Sequence, residues 1–564
     1  MKTYLMNSVS MQTRDGVRLD ADVYLPKLSA LGQTFPVLLM RQPYGRSIAS
    51  TVVYAHPSWY AAQGYIVVIQ DVRGRGTSEG VFSLFESEIE DGYDAVMWAA
   101  NLPHSNGLVG MYGFSYQGMT QLYAAAHRPE PLRTICPAML AYDLREDWAY
   151  EHDVFCLQSN LGWAIQLAAE TARLVGNNQH FQLLKAAANN LPINGEIPAY
   201  PEILKSLAPE SFYHDWISRS ADDVYWKKLS PRYFIDSISD LPMLHIGGWF
   251  DPYLRGTLRL YDAMCKTTAP QHLIIGPWAH LPWGRHAGIL DFGAAAVSNC
   301  DRSQVRWFNY WLKGEGLRDG SAIWFAMGTN SWVKADGWKE GIDYQTWQLH
   351  PNGLTSMRGG DLVLAEGIDA DRTSNSSSNS IADAIVHDPW RPVPSFGGHA
   401  GSPPGPMDRR AIDDRTDVLC YTSSVLTDPL LIQGTPTIKI EFFSDAKSVD
   451  LHVVLSQVNS KGQILSISQG VCTVCPQDKT IATVSMQATS TVIETDSALR
   501  LSLSLSSFPA FPVNSGTGIL AADAKMIDAQ VVTLFLQGGV LKLPIARTIN
   551  TFPTQAIALI YHFQ

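Results

Sequence analysis

The chain has no excess of positive charge. Its 42 lysines and arginines stand against 53 aspartates and glutamates, a net charge of −11. A nucleic-acid binder needs a basic face, so nucleic acid is not an expected partner. Charged residues make up only 17% of the chain against 46% hydrophobic, the balance of a well-packed globule. No apolar run is long enough to span a bilayer, and the first residues, MKTYLMNSVSMQTRDGVRLDADVYLP, lack the apolar stretch and small-residue cleavage site of a signal peptide. The expectation is a cytoplasmic protein without a membrane partner. Cysteines are few, odd in number and scattered: seven in all, which fits reduced thiols. Cys472 and Cys475 form a CxxC, but on an extended strand they point to opposite faces and no second CxxC accompanies them. No metal and no cofactor are expected. The sequence also lacks an internal repeat.

Length comes next. At 564 residues the chain exceeds what one core can organise, so two or three domains are expected. Met11 to Pro26 reads as a hairpin turning at Asp15-Gly16. Compact apolar strands follow at Phe35–Met40, Tyr65–Gln70, Leu108–Tyr112 and Leu132–Cys136, with a helix over Asp91–Ala100 among them. This alternation predicts a mainly parallel sheet with helices on both faces. From about Asp143 to Ser230 strand signals fade, and DWAYEHDVFCLQSNLGWAIQLAAETARLV has helical spacing and several aromatics. A helical cap over the sheet is expected there. The α/β pattern returns in LPMLHIGGWFD and QHLIIGPWAH, followed by a helix over Ser303–Leu312 that stops at Gly314. After about Thr346 helix signals are few. Ile438, Ile440 and Phe442 alternate with Lys439 and Glu441, and Leu501, Leu503 and Leu505 alternate with serines, which predicts half-buried antiparallel strands. The last third reads as a β-sandwich, and Thr373–Ser380 as a low-complexity mobile loop.

The sharpest local signal is Gly113-Phe114-Ser115-Tyr116-Gln117-Gly118. An apolar strand precedes it and a run of helix formers follows, so Ser115 sits on a strand-to-helix turn between glycines. That is the geometry of a nucleophile elbow, although Gln117 stands where the usual G-x-S-x-G pattern has its second glycine. The start of the following helix offers unpaired N–H groups to a developing oxyanion. A serine nucleophile needs a base, and the base needs a carboxylate to orient it. On this kind of sheet the chain order is Ser, then Asp or Glu, then His. Asp251 follows one downstream strand and His280 the next, each in a Gly- or Pro-bearing loop. A helix N-cap is the alternative role for Asp251. His286, in the same loop as His280, is the rival base. His245 and His272 lie before or within strands and read as packed core residues.

The chain resembles the cocaine esterase-like hydrolases, a group that includes X-prolyl dipeptidyl aminopeptidases and α-amino-acid ester hydrolases. The matching stretches are TRDGVRLDADVYLP, RQPYGR, QDVRGRGTSEGVF, GMYGFSYQGMTQ, GGWFDPY, IIGPWAH and RWFNYWLKG. In the last third they are DPWRPVPSFGG, RTDVLCYTS and DPLLIQGTPTIKIEFFSDAKSVDLHVVL. The family elbow looks like G-x-S-Y-x-G, so Gln117 and Gly118 fall into place. The resemblance implies an α/β-hydrolase domain in two parts (1–144 and 231–345), a helical cap (145–230) and a C-terminal jelly-roll-like β-sandwich domain (346–564). It implies Ser115 as nucleophile, His280 as base and Asp251 as its orienter. It also implies the Tyr44 hydroxyl and the Tyr116 N–H as oxyanion hole. Asp71, Arg73 and Arg75, in a recurrent family loop, read as structural charge partners.

Trp163 on the cap and Tyr253 match family positions that line the acyl pocket, and Trp148 is a further substrate-binding candidate. The expected activity is hydrolysis of small-molecule carboxylic esters, or activated amides, through an acyl-enzyme. The alternatives are an X-prolyl aminopeptidase or amide acylase, and a non-catalytic binding protein on a hydrolase scaffold. Tyr253 and Leu254 stand where the amino-ester hydrolases carry acidic residues that hold an ammonium, so neutral, bulky apolar acyl groups are expected. Glu146, Asp147 and Glu151 in the cap are read as a solvated face, with amine binding as the other role open to them. The sequence leaves a homo-oligomer open.

Overall fold

Side-chain alternation builds the central layer. Along Phe35–Gln42, Val37 and Leu39 enter one hydrophobic core while Leu38 and Met40 enter another. Ile66 and Val68 likewise part from Val67 and Ile69. A strand apolar on both sides must be covered on both faces, which is the condition of a parallel sheet flanked by helices. These features come from a computed structural model, which describes residues 6–28, 32–47, 51–195, 197–238, 240–316, 320–341, 343–365, 381–476 and 480–546.

Among the described residues the sheet has ten strands: Met6–Gln12 (β1), Arg18–Tyr24 (β2), Phe35–Gln42 (β3), Ile66–Asp71 (β4), Ser105–Phe114 (β5), Leu132–Ala138 (β6), Met243–Phe250 (β7), Gln271–Ala279 (β8), Ala322–Ala326 (β9) and Ser331–Ala335 (β10). Their order is β1-β2-β4-β3-β5-β6-β7-β8-β9-β10. The run from β4 to β9 is parallel, and both edges are closed by antiparallel strands. The expected hairpin is present, with Gly16 at φ 87° in its turn.

The cap enters between β6 and β7. Its helices include Leu157–Leu174, Asn178–Asn189, Phe212–Ser218 and Val224–Leu229, and their apolar faces join the core on one side of the sheet. The segment predicted helical from Asp147 onward is not a continuous α-helix at its start. Arg145–Ala149 makes one π-helical turn, and Tyr150–Glu151 pairs with Val154–Phe155 around His152 and Asp153 at φ 45° and 70°. This tight reversal lets Glu151 reach partners outside the cap. The helix over Cys300–Phe308 continues as a π turn to Lys313 and ends at Gly314, φ 71°, in the left-handed region.

The C-terminal part is a second, β-rich layer system of twelve strands among the described residues. Its axis is the strand Val532–Ile545, paired antiparallel with Thr437–Ser444 along one edge and with Asp343–His350 and Asp383–His387 along the other. Thr373–Ser380 lies outside the described residues. The alternating strand Ala498–Ser504 is not half-exposed as predicted. Leu501 and Leu503 are buried, and so are Ser502 and Ser504. The serine face is covered, and its hydroxyls are satisfied inside: Ser502 Oγ donates to Asp413 Oδ2 at 3.0 Å and Ser504 Oγ to the Ser506 carbonyl at 3.0 Å. Glu441, read as the outward member of its strand, is likewise buried.

Within this layer Asp450 is buried, and burial raises its carboxyl to about 6 although Asn514 Nδ2 and Thr473 Oγ1 donate to it at 2.9 and 2.8 Å. A carboxyl raised in the folded state binds more protons there than when unfolded, so it costs stability as pH rises from about 4 to about 6. Asp450→Asn keeps the neutral shape. Relative to the parent, it should gain about 1–3 kcal/mol between pH 4 and pH 7. Urea unfolding of both proteins at the two pH values measures this.

Candidate active site

Chain order reverses between β3 and β5: β3 leads to β4 on one side, β5 to β6 on the other. A crevice opens at the carboxyl ends of strands flanking such a switch. Tyr44 follows β3 there and Ser115 follows β5. Ser115 has φ 59° and ψ −126°, a backbone conformation that a side chain rarely adopts and that the surroundings must hold in place. Its N–H donates to the Ala138 carbonyl at 2.9 Å, and its carbonyl accepts from Gly118 and Met119 at 2.9 and 3.0 Å. The two glycines of the elbow are needed for space. A Cβ on Gly113 would lie 2.4 Å from Gln117 Cβ, and one on Gly118 2.8 Å from the Ala138 carbonyl oxygen. So the second glycine faces β6, and Gln117 can take the position before it.

Tyr116 opens the helix Tyr116–Ala125. As the first helical residue, its N–H precedes the first i→i−4 bond. Its side chain is fixed from below: the hydroxyl donates to Glu88 Oε1 at 3.0 Å, the ring stacks on Phe85 at 4.6 Å, and Glu88 is ion-paired with buried Arg41. Burial lifts this hydroxyl well above its ordinary pKa.

Asp251 and His280 leave the ends of the neighbouring strands β7 and β8. His280 Nδ1 lies 2.8 Å from Asp251 Oδ1, with Asp251 fully buried and His280 partly exposed. Asp251 is not a helix cap: the helix Leu254–Cys265 has Tyr253 at its N-cap, and the Asp251 side chain is turned to His280. His286 is exposed, in a two-residue strand, 3.6 Å from Asp291. His245 is a core residue bonded to Gln271 at 2.8 Å, and burial pulls its ring down to about 4. Among the described residues Ser115 Oγ makes no hydrogen bond. The ring of Phe114, the residue before it, lies 5.4 Å from the His280 imidazole. Such contacts are often long in unliganded sites.

An aromatic chain joins these parts. Tyr253 meets His280 at 4.9 Å and Trp148 at 4.4 Å, Trp148 meets Trp163 at 5.2 Å, and Trp163 Nε1 donates to the Tyr44 hydroxyl at 3.1 Å. Because that oxygen accepts from Trp163, its own proton is free for another acceptor. Burial pushes the Tyr44 hydroxyl up to about 12, so it stays a donor at any ordinary pH. Trp148 is enclosed by Phe85, Trp216, Trp163 and Tyr253 and is 2% exposed. It is therefore enclosed and offers almost no surface to a bound molecule. Trp163 is half-buried.

The cap acids are not the solvated face expected from sequence. Asp147 is buried, accepting from Arg259 Nη1 at 2.7 Å and from the N–H groups of Tyr142 and Asp143. Glu146 pairs with Arg145. Glu151 is buried and reaches Arg255 Nη1 at 2.9 Å and His399 Nε2 at 2.8 Å. Burial pushes its carboxyl up, but Arg255 and His399 outweigh this and hold it well below the usual carboxylate range. The C-terminal layer also reaches the Asp251 loop directly. Gln487 Nε2 donates to the carbonyls of Trp249 and Asp251 at 2.8 and 3.1 Å. Nothing local in SMQATS marks Gln487, and Arg255 and His399 carry no sequence signal either. Their roles come from contacts between distant segments.

Among the described residues no cluster of three or more His, Cys, Asp or Glu side chains is arranged to hold a metal ion, and no helix is long and apolar enough to cross a membrane. The sequence matches the model of the X-Pro dipeptidyl-peptidase (S15) family over residues 15–282. It matches that of the X-Pro dipeptidyl-peptidase C-terminal non-catalytic domain over residues 317–546. It is 30% identical over 545 residues to cocaine esterase of Rhodococcus sp. (strain MB1 Bresler), covering 91% of this chain and 92% of that protein.

The chain belongs to the cocaine esterase-like hydrolases of the S15 family.

Like other members of this family, it is a serine carboxylic-ester hydrolase by class. The fold agrees with solved structures that are more distant in sequence. An aminopeptidase from a marine sediment archaeon, Thaumarchaeota archaeon, superposes with a TM-score of 0.78 at 19% identity, covering 96% of each chain. An α-amino acid ester hydrolase gives 0.76 at 20%, covering 96% of this chain and 97% of that one. Within this α/β-hydrolase the Glu151 cluster is open to test. Glu151→Ala leaves the partly buried Arg255 without its carboxylate and should cost about 3–5 kcal/mol, read as a lower urea midpoint, with Glu151→Gln less affected.

Proposed function

We propose that Ser115, His280 and Asp251 form the triad of this esterase, with the Tyr44 hydroxyl and the Tyr116 N–H as its oxyanion hole. The observation that carries the reading is the 2.8 Å pairing of His280 with buried Asp251 beside the strained turn at Ser115. Asp251 holds the ring by Nδ1, which leaves Nε2 for the serine. His280 takes the Ser115 proton as Oγ attacks the ester carbonyl. The charge that grows on the carbonyl oxygen falls to the Tyr44 O–H and the helix-start N–H. His280 then protonates the leaving alcohol, and water, activated by the same imidazole, releases the acid from the acyl-enzyme. The chemistry needs no metal or cofactor.

Trp163 and Tyr253, backed by Trp148, make an acyl pocket for neutral, bulky apolar groups. An α-ammonium there would need a carboxylate, because a buried unpaired cation costs several kcal/mol. The cap acids Asp147 and Glu151 are already engaged by Arg259, Arg255 and His399, and this weighs against amino esters and X-prolyl peptides as substrates. The domain limits at 144, 230 and 345 also remain a proposal. The second sheet's strand beginning at Asp343 favours setting the last limit a few residues earlier. A jelly-roll path for the C-terminal domain and a reducing, cytoplasmic setting for its seven free thiols complete the reading.

Ser115→Ala should abolish turnover down to the roughly 10³–10⁴ over water that oxyanion binding supplies, while circular dichroism stays unchanged. Tyr44→Phe should lose about 10²–10³ in kcat. The parent should show no alkaline fall in kcat from Tyr44 up to pH 10, since that hydroxyl ionises near 12. Near-normal turnover in Ser115→Ala would end the assignment. For specificity, the methyl ester of phenylacetate should exceed that of phenylglycine in kcat/KM at pH 7. A preference for the amine-bearing ester that disappears in Asp147→Asn would reverse the reading.

A further inference from the structure

The loop after β4 carries two arginines in sequence, Arg73 and Arg75, and they fare differently. Arg73 pairs with Asp91 and Asp15 at 2.6 and 2.9 Å. Nearby Arg41 pairs with Glu88, and Arg46 with Asp71 and Asp22. Arg75 is almost as enclosed as Arg41, being 1% exposed, yet among the described residues no carboxylate lies within ion-pair distance of it. Its Nη1 donates to the Leu167 carbonyl at 3.2 Å, its guanidinium lies 3.8 Å from the centre of the Phe82 ring, and its Nε is buried with no acceptor. This departs from the expectation that Arg75, like Asp71 and Arg73, serves as a structural charge partner. Burial draws its pKa down to about 10, with no ion pair to restore it. It is therefore still a cation at neutral pH.

Arg75 lines a cavity of about 480 Å³ between the loop of residues 74–84, the helix Leu157–Leu174 and the start of the helix Phe212–Ser218. That volume falls within the usual ~300–1,000 Å³ of small-molecule sites. The walls are apolar, formed by Phe82, Leu84, Leu167, Ala168 and Phe212, with His180 and the exposed Glu210 also on the lining. The cavity is not the acyl pocket. Trp163 and Tyr44 are absent from its lining, and it lies behind them: Phe212 packs on Trp163 at 4.9 Å, and Phe82 on Tyr116 at 6.2 Å.

We propose that this cavity is a second ligand site, which takes an amphipathic monocarboxylate with its head on Arg75 and its apolar body along Leu167, Ala168 and Phe212. A planar carboxylate suits a guanidinium edge. One buried cation matches one negative charge, whereas a dianion such as phosphate would leave charge uncompensated among apolar walls. The apolar lining calls for a chain or ring behind the head group.

Decanoate is the probe, with decanol as its uncharged counterpart, titrated calorimetrically into the full-length protein. Decanoate should bind at least tenfold more tightly than decanol. Arg75→Met should weaken decanoate tenfold or more and decanol less than twofold. Ala168→Trp, which fills the cavity from a half-buried helix position on its lining, should weaken both while leaving hydrolysis of 4-nitrophenyl acetate within twofold of the parent. In the parent, decanoate should leave the KM for that short ester unchanged. Equal affinity for decanoate and decanol would overturn the proposal, as would decanoate binding that persists in Ala168→Trp. Competitive inhibition of the short ester would place the ligand in the catalytic crevice and overturn it too. Should Arg75→Met fail to fold, the parent's preference for the charged probe and the Ala168→Trp result decide the matter.

Discussion

The site depends on one buried carboxylate, that of Glu151. It stands in the cap, it is reached by Arg255 from the helix that follows Asp251, and it is reached by His399 from the C-terminal layer. Three separately packed parts of the chain thus meet on one charge. Removing two or three ionic groups from water is costly, and their mutual attraction offsets that cost only while all of them stay in place. The contact therefore sets the relative placement of the parts more than it adds net stability. Gln487 works to the same end with neutral groups. Its amide spans the carbonyls of Trp249 and Asp251, so the loop bearing the proposed orienting carboxylate is held from the far domain.

This architecture explains how the crevice can be lined by residues from remote segments and still hold a strained turn. Ser115 keeps its unfavourable φ because its backbone is bonded on both sides, to Ala138 and to the first helical turn, and because both elbow glycines clear the space that packing requires. Beneath it the Glu88–Arg41–Tyr116 network fixes the start of the helix that follows the turn. On the opposite wall, the bond from Trp163 sets the direction in which the Tyr44 hydroxyl can donate. A cap residue thus orients a group on the sheet domain, and cap placement and site electrostatics become one problem.

The charge pattern around the site also narrows the ligands it can take. The buried cap acids Asp147 and Glu151 are spoken for, and Arg75 is not. A region whose buried carboxylates are paired, while one buried arginine is left over, disfavours cations and is receptive to anions. The acyl pocket and the cavity behind it would then serve different chemistries, an uncharged carbonyl compound in the first and an acid in the second, separated by the Trp163–Phe212 wall.

Much of this molecule was legible in its sequence, because the relevant signals are local. Apolar runs ending in Gly-rich turns marked the parallel strands. The spacing of Gly113, Ser115 and Gly118 marked the elbow, and chain order singled out Asp251 and His280, since each loop directly follows its strand. Family resemblance added Tyr44, Tyr116, Trp148, Trp163 and Tyr253 as candidates. Where burial depends on what a distant segment lays over a face, the same reading failed. The serines of Ala498–Ser504 look solvent-facing by alternation, yet another part of the chain covers them and satisfies their hydroxyls. Asp147 and Glu151 look like a wet cap face, yet they find arginines on a helix about a hundred residues away. Arg75 looks paired, like Arg73, yet it is not. Periodicity and turn chemistry are written within a few residues of each other, so the sequence alone determined the sheet, the elbow and the strand ends that carry Asp251 and His280. Which charges are matched depends on atoms that meet only when domains pack, and that the tertiary structure alone decided.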